Sequence, residues 1–300
     1  MKILAVIVTF NKEVLLSRCI DYILKQKRKP DEILVINNGS TDDTESVLVE
    51  RNILHINQNN VGGAGGFQRG LEYALEKEFD AVWLMDDDGF PEENSLDILE
   101  KSLKSDVVCA SAVVLQVENP ENFVFQFTLL DSKGFPKIFG FPRKFSKLHK
   151  LKSYVKSNSY PFAYFFNGAL ICSKTIKQIG GIDCSLFIYG DEVDYFFRLR
   201  SMGSVITVFD AIHFHPDVSN RPLNINMLYF LIRNSIIVHK RYFNFVILRN
   251  FLTISVILYR VLKRNSFKDF ISLLIGYNSK LFFRAIQDGI NNNLSFRLIR

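Results

Sequence analysis

The first part of the chain alternates short apolar runs with segments in which apolar residues recur at helical spacing. Residues 3–8 form a β-branched run that is typical of a strand buried on both faces, and residues 12–26 carry apolar side chains on one helical face. Further strands are predicted at 33–36, 53–56 and 81–85, with helices at about 41–51 and 66–78 between them. Strands that alternate with helices predict an α/β fold with a mostly parallel sheet flanked by helices.

Polar and glycine-rich loops follow these strands, at residues 9–11, 37–40, 60–66 and 86–88. In parallel α/β sheets, ligands bind where the strands end at their carboxyl side. We therefore expect these loops to gather at one edge of the sheet and to form the binding site there.

The rest of the chain is less regular. Phe123, Phe125 and Phe127 alternate as in a strand, and the basic, polar residues 140–160 are expected to form a mobile loop. Further elements are predicted as a buried strand at 162–173, a helix at 189–202, a strand at 204–208 and helices from about residue 223 onward.

Composition restricts the class of function. Hydrophobic residues make up 48% of the 300 residues and charged residues 23%, which suits a folded chain with a substantial core. The net charge of +6 is uneven, because residues 220–300 carry 13 Lys+Arg against 2 Asp+Glu. A uniformly basic nucleic-acid binder is therefore disfavoured, and the basic, aromatic tail predicts contact with an anionic surface.

Four scattered cysteines without a CxxC pair predict reduced thiols rather than a disulfide framework or a zinc site. The sequence shows no signal peptide, and no apolar stretch reaches the roughly 18 residues that a spanning helix needs. These features predict a cytoplasmic protein.

An acidic triplet, Asp86-Asp87-Asp88, ends the apolar run at 81–85. Adjacent carboxylates repel one another unless a cation or water compensates, and carboxylate oxygens favour Mg²⁺ or Mn²⁺. Asp86 and Asp88 are expected to point to the same side. The alternative is a solvated acidic turn before Gly89.

Four glycines lie within residues 62–66, where backbone N–H groups could approach a ligand closely. Their spacing fits neither the dinucleotide-binding fingerprint nor the GxxxxGK[ST] phosphate loop. Arg69 follows on the predicted helix, where a guanidinium could grip a diphosphate. The alternative is a flexible loop with a surface arginine.

Two later segments carry further candidate groups. Asp191 and Glu192 open a predicted helix, where they could cap its positive end or remove a proton from a sugar hydroxyl. His213 and His215 are expected to face opposite ways if their segment is a strand, so that at most one of them would join a given site.

In this order and after these strands, the motifs resemble the family 2 glycosyltransferases, nucleotide-sugar enzymes with the GT-A fold. The resemblance covers roughly residues 1–220, and within the family it points to the bacterial galactofuranosyltransferases, with rhamnosyltransferases as near neighbours. The matching segments lie at residues 8–11, 35–42, 60–63, 83–88, 167–169, 181–183 and 191–194.

The resemblance implies that Thr9, Phe10 and Asn11 line the nucleoside pocket, with Asn38 nearby. Asn37 stands where the family usually has Asp. Since an amide can both accept and donate, this departure leaves both uridine and thymidine open as the base.

The remaining roles are also implied by the resemblance. Arg69 would contact the diphosphate or the sugar, and Asp87 the ribose or the donor sugar. Asp86 and Asp88 would hold Mg²⁺ or Mn²⁺, with His215 as the third ligand and His213 as the alternative.

The catalytic base of the family is usually the second acid of an acidic pair, which is Glu192 here. The common order is Glu-Asp, whereas this sequence has Asp191-Glu192. Asp191 therefore stays a candidate.

The resemblance implies an inverting, metal-dependent transfer of galactofuranose from UDP-galactofuranose to a glycan or a polyprenyl-diphosphate-linked glycan, in synthesis of a surface polysaccharide such as O-antigen. The alternatives are a rhamnosyltransferase using dTDP-rhamnose, a sugar nucleotidyltransferase and a non-catalytic sugar-binding relative. Residues 1–220 would form the GT-A catalytic domain. Residues 221–300 would form a basic, aromatic helical extension that contacts the inner face of the cell membrane or a second copy of the chain.

Overall fold

The computed structural model describes residues 1–104 and 106–295, and the chain divides into two compact units. Unit 1 comprises residues 1–182 and 195–217, and unit 2 comprises residues 183–194 and the chain from residue 218 onward. The structure thus joins the acidic segment at 183–194 to the C-terminal helices. The predicted roles of residues 1–220 and 221–300 remain predictions.

Unit 1 is built on strands and helices that alternate along its first part. In chain order the elements up to β11 are β1 (Ile3–Thr9), α1 (Glu13–Leu24), β2 (Glu32–Asn37), α2 (Thr44–Glu50), β3 (Leu54–Asn57), α3 (Gly62–Glu76), β4 (Ala81–Asp86), β5 (Phe90–Pro91), α4 (Ser95–Ser102), β6 (Val107–Gln116), β7 (Asn122–Thr128), β8 (Lys144–Lys147), α5 (Leu148–Val155), β9 (Ser159–Tyr160), β10 (Asn167–Cys172), α6 (Ser173–Ile179), α7 (Asp191–Arg200) and β11 (Ser204–His215). Of these, α7 begins in unit 2 and ends in unit 1.

One sheet holds the strands of the described residues, and its main path has the order β3-β2-β1-β4-β10-β6-β11-β5. Off this path, β7 pairs with β6 and β8, and β9 pairs with β11. The strands β3, β2, β1 and β4 are parallel, as predicted. Beyond them β10 runs antiparallel to both β4 and β6, so the whole sheet is mixed. The predicted parallel arrangement therefore holds for the first four strands, and the mixed α/β fold with flanking helices is confirmed.

The two faces of the sheet form separate cores because successive residues of a strand point to opposite sides. On β1, Ile3, Ala5 and Ile7 pack with the apolar face of α1. Leu4, Val6 and Val8 pack on the other side with α3. Since both faces are covered, the run at residues 3–8 is apolar throughout instead of alternating.

The glycines at 62–66 do not form a flexible loop but belong to α3, which starts four residues earlier than predicted. A Cβ on Gly66 would lie 2.5 Å from Cγ1 of Val8, and one on Gly70 would lie 2.4 Å from Cγ1 of Val6. These two glycines therefore let the helix approach β1 closely.

Residues 140–160 are not a mobile loop, because the structure places β8, α5 and β9 there. Leu151 of α5 is buried, and Leu148 and Val155 pack in the same cluster with Phe145 and Tyr160. The apolar spacing of this short helix is hidden among lysines, which explains why the composition suggested a loop. The structure also shortens the strand predicted at 162–173 to β10 and extends the strand predicted at 204–208 to β11.

Unit 2 is helical, as predicted. It contains α8 (Ile225–Tyr242), α9 (Val246–Arg264), α10 (Phe267–Leu274) and α11 (Ser279–Ile290), together with a short 3-10 helix at Cys184–Leu186. Its core forms between these helices, with Phe230, Ile257 and Phe282 among the buried residues. Among the described residues, no helix is sufficiently long and apolar to cross a membrane.

Candidate active site

Hydrogen bonds join the loops that follow β1, β2 and β4. The Thr9 hydroxyl donates to Oδ2 of Asp87 at 2.8 Å, and the Phe10 N–H donates to the same oxygen at 3.2 Å. The Thr41 N–H donates to Oδ1 of Asn11 at 2.7 Å. The sequence-predicted residues of these three loops therefore meet at the carboxyl edge of the parallel strands.

Two asparagines at the end of β2 hold the neighbouring loops. The buried Asn38 donates from its amide to the Gly62 carbonyl at 3.0 Å and accepts from the Val61 N–H at 3.3 Å. Asn37 donates to Oδ1 of Asn57 at 2.9 Å and accepts from the Ser40 N–H. Both amides thus fix the backbone around the predicted nucleoside pocket.

Asp88 of the acidic triplet is paired with two side chains. Nε2 of His215 lies 2.9 Å from its Oδ1, and Nζ of Lys12 lies 2.5 Å from its Oδ2. Burial alone would raise the pKa of Asp88, but the hydrogen bond and charge of His215 and the ammonium of Lys12 hold it well below its ordinary value. Asp88 is therefore ionised and faces two cationic or proton-bearing groups.

The other two carboxylates are placed differently. Asp87 is buried against the end of β1, and burial raises its pKa in spite of Lys12, whose Nζ lies 3.6 Å from Oδ1. Asp86 is the last residue of β4, and its N–H donates to the Phe166 carbonyl at 2.7 Å. The shared direction predicted for Asp86 and Asp88 stays a prediction.

The donor atoms around Asp88 suit a divalent cation. Within residues 1–104 and 106–295, no group of three or more His, Cys, Asp or Glu side chains is arranged to hold a metal. Two of the three predicted ligands, Asp88 and His215, are nevertheless opposed at 2.9 Å. The Lys12 ammonium lies against Asp88 and Asp87 as a stand-in cation. Carboxylate oxygens are hard ligands, and those of Asp88 and Asp87 already attract the positive charge of Lys12, so they fit Mg²⁺ or Mn²⁺.

The two histidines of β11 point the same way, so the expectation that they face opposite ways is wrong. Residues two apart on a strand share a face. His213 is fully buried, and a Cβ on Gly89 would lie 2.1 Å from its Nε2. Burial lowers the pKa of His213 to about 3, and neither ring nitrogen has a hydrogen-bond partner among the described residues. His215, and not His213, contacts Asp88.

Arg69 is not brought to this cluster by any contact between described residues. Its guanidinium lies 3.5 Å from Glu72 and 3.4 Å from Glu76, both further along α3. Because these partners lie towards the C-terminus of the helix, the side chain extends away from the first turn of α3. The diphosphate contact implied for Arg69 stays a prediction.

Sequence reasoning missed two basic residues beside the triplet. Lys12 pairs with Asp87 and Asp88, and Arg18 of α1 donates to the Asp88 carbonyl at 2.8 Å while its guanidinium lies over the Phe90 ring. Lys12 could have been found, because it directly follows the loop at 9–11. Arg18 could not, since its position two turns into a helix carries no local signal.

Within unit 2, α8 holds the segment that carries the predicted base. The buried Asn234 donates from its amide to the carbonyls of Leu186, Ile188 and Tyr189 at 2.7 to 2.8 Å. The neighbouring Arg233 donates to the Leu186 carbonyl as well. Buried side chains with this many backbone partners fix the path of residues 186–189.

The backbone is strained immediately before α7. Tyr189 has φ +62° and Gly190 has φ +81°, and a left-handed conformation is rare for a bulky residue such as tyrosine. Strain of this kind persists only where the surroundings impose it, and here the hydrogen bonds of Asn234 hold the backbone in this conformation. The turn at Tyr189 and Gly190 is followed directly by the first residue of α7, Asp191.

Asp191 is buried, and Glu192 is half-buried. Burial, together with the charge of Glu192, raises the pKa of Asp191 to about 7. A carboxyl group with a pKa near neutrality is suited to accept a proton at physiological pH. Asp194, one turn further, accepts from Arg241 and from the Tyr242 hydroxyl, both at 2.8 Å, and anchors the first turn of α7 to α8.

The sequence and the fold were compared with known proteins. The model of the family described as Glycosyl transferase family 2 matches residues 4–171. The galactofuranosyltransferase GlfT1 of Mycobacterium tuberculosis is 31% identical over 223 residues, which cover 71% of this chain and 70% of that protein. The GlfT1 of Mycolicibacterium smegmatis is 29% identical over 219 residues, with the same coverage of both chains.

Among solved structures, GalNAc-T7 with UDP, GalNAc and Mn²⁺ is similar with a TM-score of 0.60 at 14% sequence identity. The match covers 98% of this chain and 58% of that one, and at this identity it shows the fold alone. The family match spans more than half of the chain and includes the loops joined at the sheet edge. The chain therefore belongs to glycosyl transferase family 2, and the protein is a glycosyltransferase.

Proposed function

We propose that the protein transfers galactofuranose from UDP-galactofuranose to a hydroxyl of a glycan or lipid-linked glycan, with inversion at the anomeric carbon. The curated relatives named galactofuranosyltransferase, at about 30% identity over 70% of their length, support the choice of sugar. The observation that carries the proposal is the buried Asp88 between Lys12 and His215, beside the hydrogen-bonded end of β1.

On the donor side, the roles of Thr9, Phe10, Asn11 and Asn38 are to line the nucleoside pocket. Asp87 ties Thr9 and Phe10 to the end of β4, and Asn38 fixes the start of α3. A pocket whose polar groups are already hydrogen-bonded is preorganised, so little ordering is needed when the donor binds.

Asp86, Asp88 and His215 would hold Mg²⁺ or Mn²⁺. When bound, the cation would neutralise the negative charge that develops on the departing diphosphate. Asp88 is ionised over the whole neutral range because its pKa is held low, which keeps its oxygens available as ligands. His215 donates from Nε2 to Oδ1 of the same carboxylate and orients it.

On the acceptor side, a carboxylate of the pair Asp191 and Glu192 removes the proton from the attacking hydroxyl. The oxygen forms its bond to the anomeric carbon as the bond to the diphosphate breaks, and a single displacement inverts the configuration. General base catalysis of this kind contributes about 10²–10⁴-fold. The pKa of about 7 at Asp191 supports that residue as the proton acceptor alongside Glu192.

The test compares donors directly. The full chain is incubated with Mn²⁺ and with UDP-galactofuranose, UDP-galactopyranose or dTDP-rhamnose, and the released nucleoside diphosphate is measured. Release should be fastest from UDP-galactofuranose. A preference for dTDP-rhamnose would identify that sugar nucleotide as the donor in place of UDP-galactofuranose. Release of pyrophosphate from a nucleoside triphosphate and a sugar 1-phosphate would indicate a nucleotidyltransferase.

A pair of variants tests the site. Asp88→Asn should lower the rate by on the order of a hundredfold or more, because it removes the charge opposite the diphosphate. Asp97→Asn is the matched control, since Asp97 is an exposed carboxylate of α4 paired with Lys101. Equal rates for Asp88→Asn and Asp97→Asn would contradict the assignment of Asp88.

A further inference from the structure

The outward face of α9 is apolar although it is exposed. Ile247, Phe251 and Tyr259 are 86%, 67% and 61% exposed, and Leu248 and Leu262 are also exposed. At about 100° per residue these five side chains fall within roughly a third of the helix circumference. Ile257 and Val261 fall outside this third of the circumference and are buried in the core of unit 2.

Lys263 borders this face, about 40° beyond Tyr259 on the helix circumference, whereas Arg260 lies about 100° beyond Tyr259. Arg260 and Lys263 are exposed, and neither forms an ion pair with a carboxylate among the described residues. The sequence of α9 contains Arg249 and Arg264 as well and no acidic residue. A helix that exposes apolar side chains beside unpaired cations is complementary to an anionic lipid surface, where the apolar groups enter the acyl boundary and the cations meet the headgroups.

A second exposed apolar pair lies in the turn after α10. Ile275 is 82% exposed and Tyr277 is 95% exposed. Lys268 and Lys280 lie on either side of this turn in the sequence. Like the α9 face, the turn therefore combines exposed apolar side chains with nearby basic residues. Exposed apolar side chains of this size, grouped with lysines, are unusual for a surface that faces only water.

We propose that α9 docks unit 2 on a membrane surface that contains anionic lipid, with the helix lying in the plane of the interface. The charge distribution favours this occupant over a second copy of the chain, because α9 carries no acidic residue that could pair with Lys263 of another copy across this face. Arg249 and Arg260 interrupt the apolar sequence of α9, which suits a helix that lies on a bilayer instead of crossing it. The proposal is independent of which sugar is transferred.

The experiment measures binding of the full chain to sedimenting vesicles of phosphatidylcholine with or without phosphatidylglycerol. Wild-type protein should bind the anionic vesicles and should lose binding as salt rises, since charge attraction is screened. Phe251→Asp should reduce binding by on the order of tenfold or more, because it places a carboxylate where an apolar ring enters the lipid. Lys263→Glu should reduce binding to the anionic vesicles in particular, because Lys263 is the cation that borders the apolar face.

Val14→Asp is the matched control, since Val14 is an apolar residue of α1 that is 73% exposed in unit 1. It should bind as the wild type does, and unchanged circular dichroism should show that all variants are folded. Equal binding by Phe251→Asp and wild type would overturn the proposal. So would a wild-type dimer that Phe251→Asp converts to a monomer without any vesicle binding, because the face would then join two copies.

Discussion

The buried Asp191 should make the protein less stable at pH 8 than at pH 4, and Asp191→Asn should remove this difference. In the folded chain burial and Glu192 raise the pKa of Asp191 from 3.8 to about 7. The folded state therefore holds a proton on Asp191 between these two pH values, whereas the unfolded state has already released it. Because the folded state then binds more protons, the free energy of unfolding falls as pH rises through this window.

The magnitude follows from the two pKa values of Asp191. They differ by about three pH units, and each unit corresponds to about 1.4 kcal/mol, so ionising Asp191 in the folded chain costs up to about 4 kcal/mol. Asn cannot ionise and has nearly the same shape. The gain in the free energy of unfolding on Asp191→Asn should therefore be larger at pH 8 than at pH 4, by up to about 4 kcal/mol.

The assay is urea unfolding at pH 4 and pH 8, followed by far-UV circular dichroism, which records the helices of both units. Trp83, the only tryptophan, is buried in unit 1, so its fluorescence records that unit in the same samples. Activity is measured in parallel. If Asp191 is the proton acceptor, the variant that gains stability at pH 8 should lose transfer activity at the same pH.

Asp183→Asn is a control of opposite sign on the same segment. Burial would raise the pKa of Asp183, but its hydrogen bonds with Ser185 and Arg241 outweigh burial and lower the pKa. The stability that Asp183 contributes is present above its ordinary pKa of 3.8 and is lost as pH falls below that value, so Asp183→Asn should cost nearly the same at pH 4 and pH 8 and less only in stronger acid. An identical effect of Asp191→Asn at both pH values would refute the reasoning about Asp191.

Two further predictions concern unit 1. Gly66→Ala should lower the free energy of unfolding by about 1–3 kcal/mol in thermal unfolding, because its Cβ would overlap Val8. Gly63→Ala is the control, since nothing lies within 4 Å of the added Cβ, and it should be neutral or stabilising by up to about 1 kcal/mol. Equal melting temperatures of the two variants would contradict the close packing of α3 on β1. Lys12→Met should tighten Mn²⁺ binding in calorimetry by roughly threefold to fivefold, because the competing ammonium is gone, and Asp88→Asn should weaken it. Weaker Mn²⁺ binding by Lys12→Met would show that Lys12 does not compete with the cation.

The strands β1, β2 and β4 could be predicted because the apolar residues that they bury on both faces stand out in the sequence itself. A β-branched run such as residues 3–8 has few alternatives, and the polar loop that follows it must leave the sheet at its carboxyl edge. This reasoning brought together Thr9, Asn11 and Asp87, which the structure joins through hydrogen bonds between loops.

The glycines of α3 show where such reasoning stops. Glycine permits both a loop that approaches a ligand and a helix that approaches a strand. The sequence alone does not identify which ligand or strand lies next to the glycine. Only the positions of Val6 and Val8 identify Gly66 and Gly70 as packing glycines. In the same way, the raised pKa of Asp191 depends on burial, which local sequence does not reveal.

The acidic triplet is tolerated because the three carboxylates are not equivalent. Asp87 is held by the hydroxyl of Thr9 and the N–H of Phe10, groups that belong to the fold and cannot leave. Asp88 is instead balanced by the buried His215 and by the partly exposed Lys12, whose flexible side chain can rotate away. Charge that is compensated by movable side chains can be passed to a bound cation without unfolding the loop. Asp88, whose pKa is held low, is therefore the carboxylate of this pair whose negative charge is available to a cation at neutral pH.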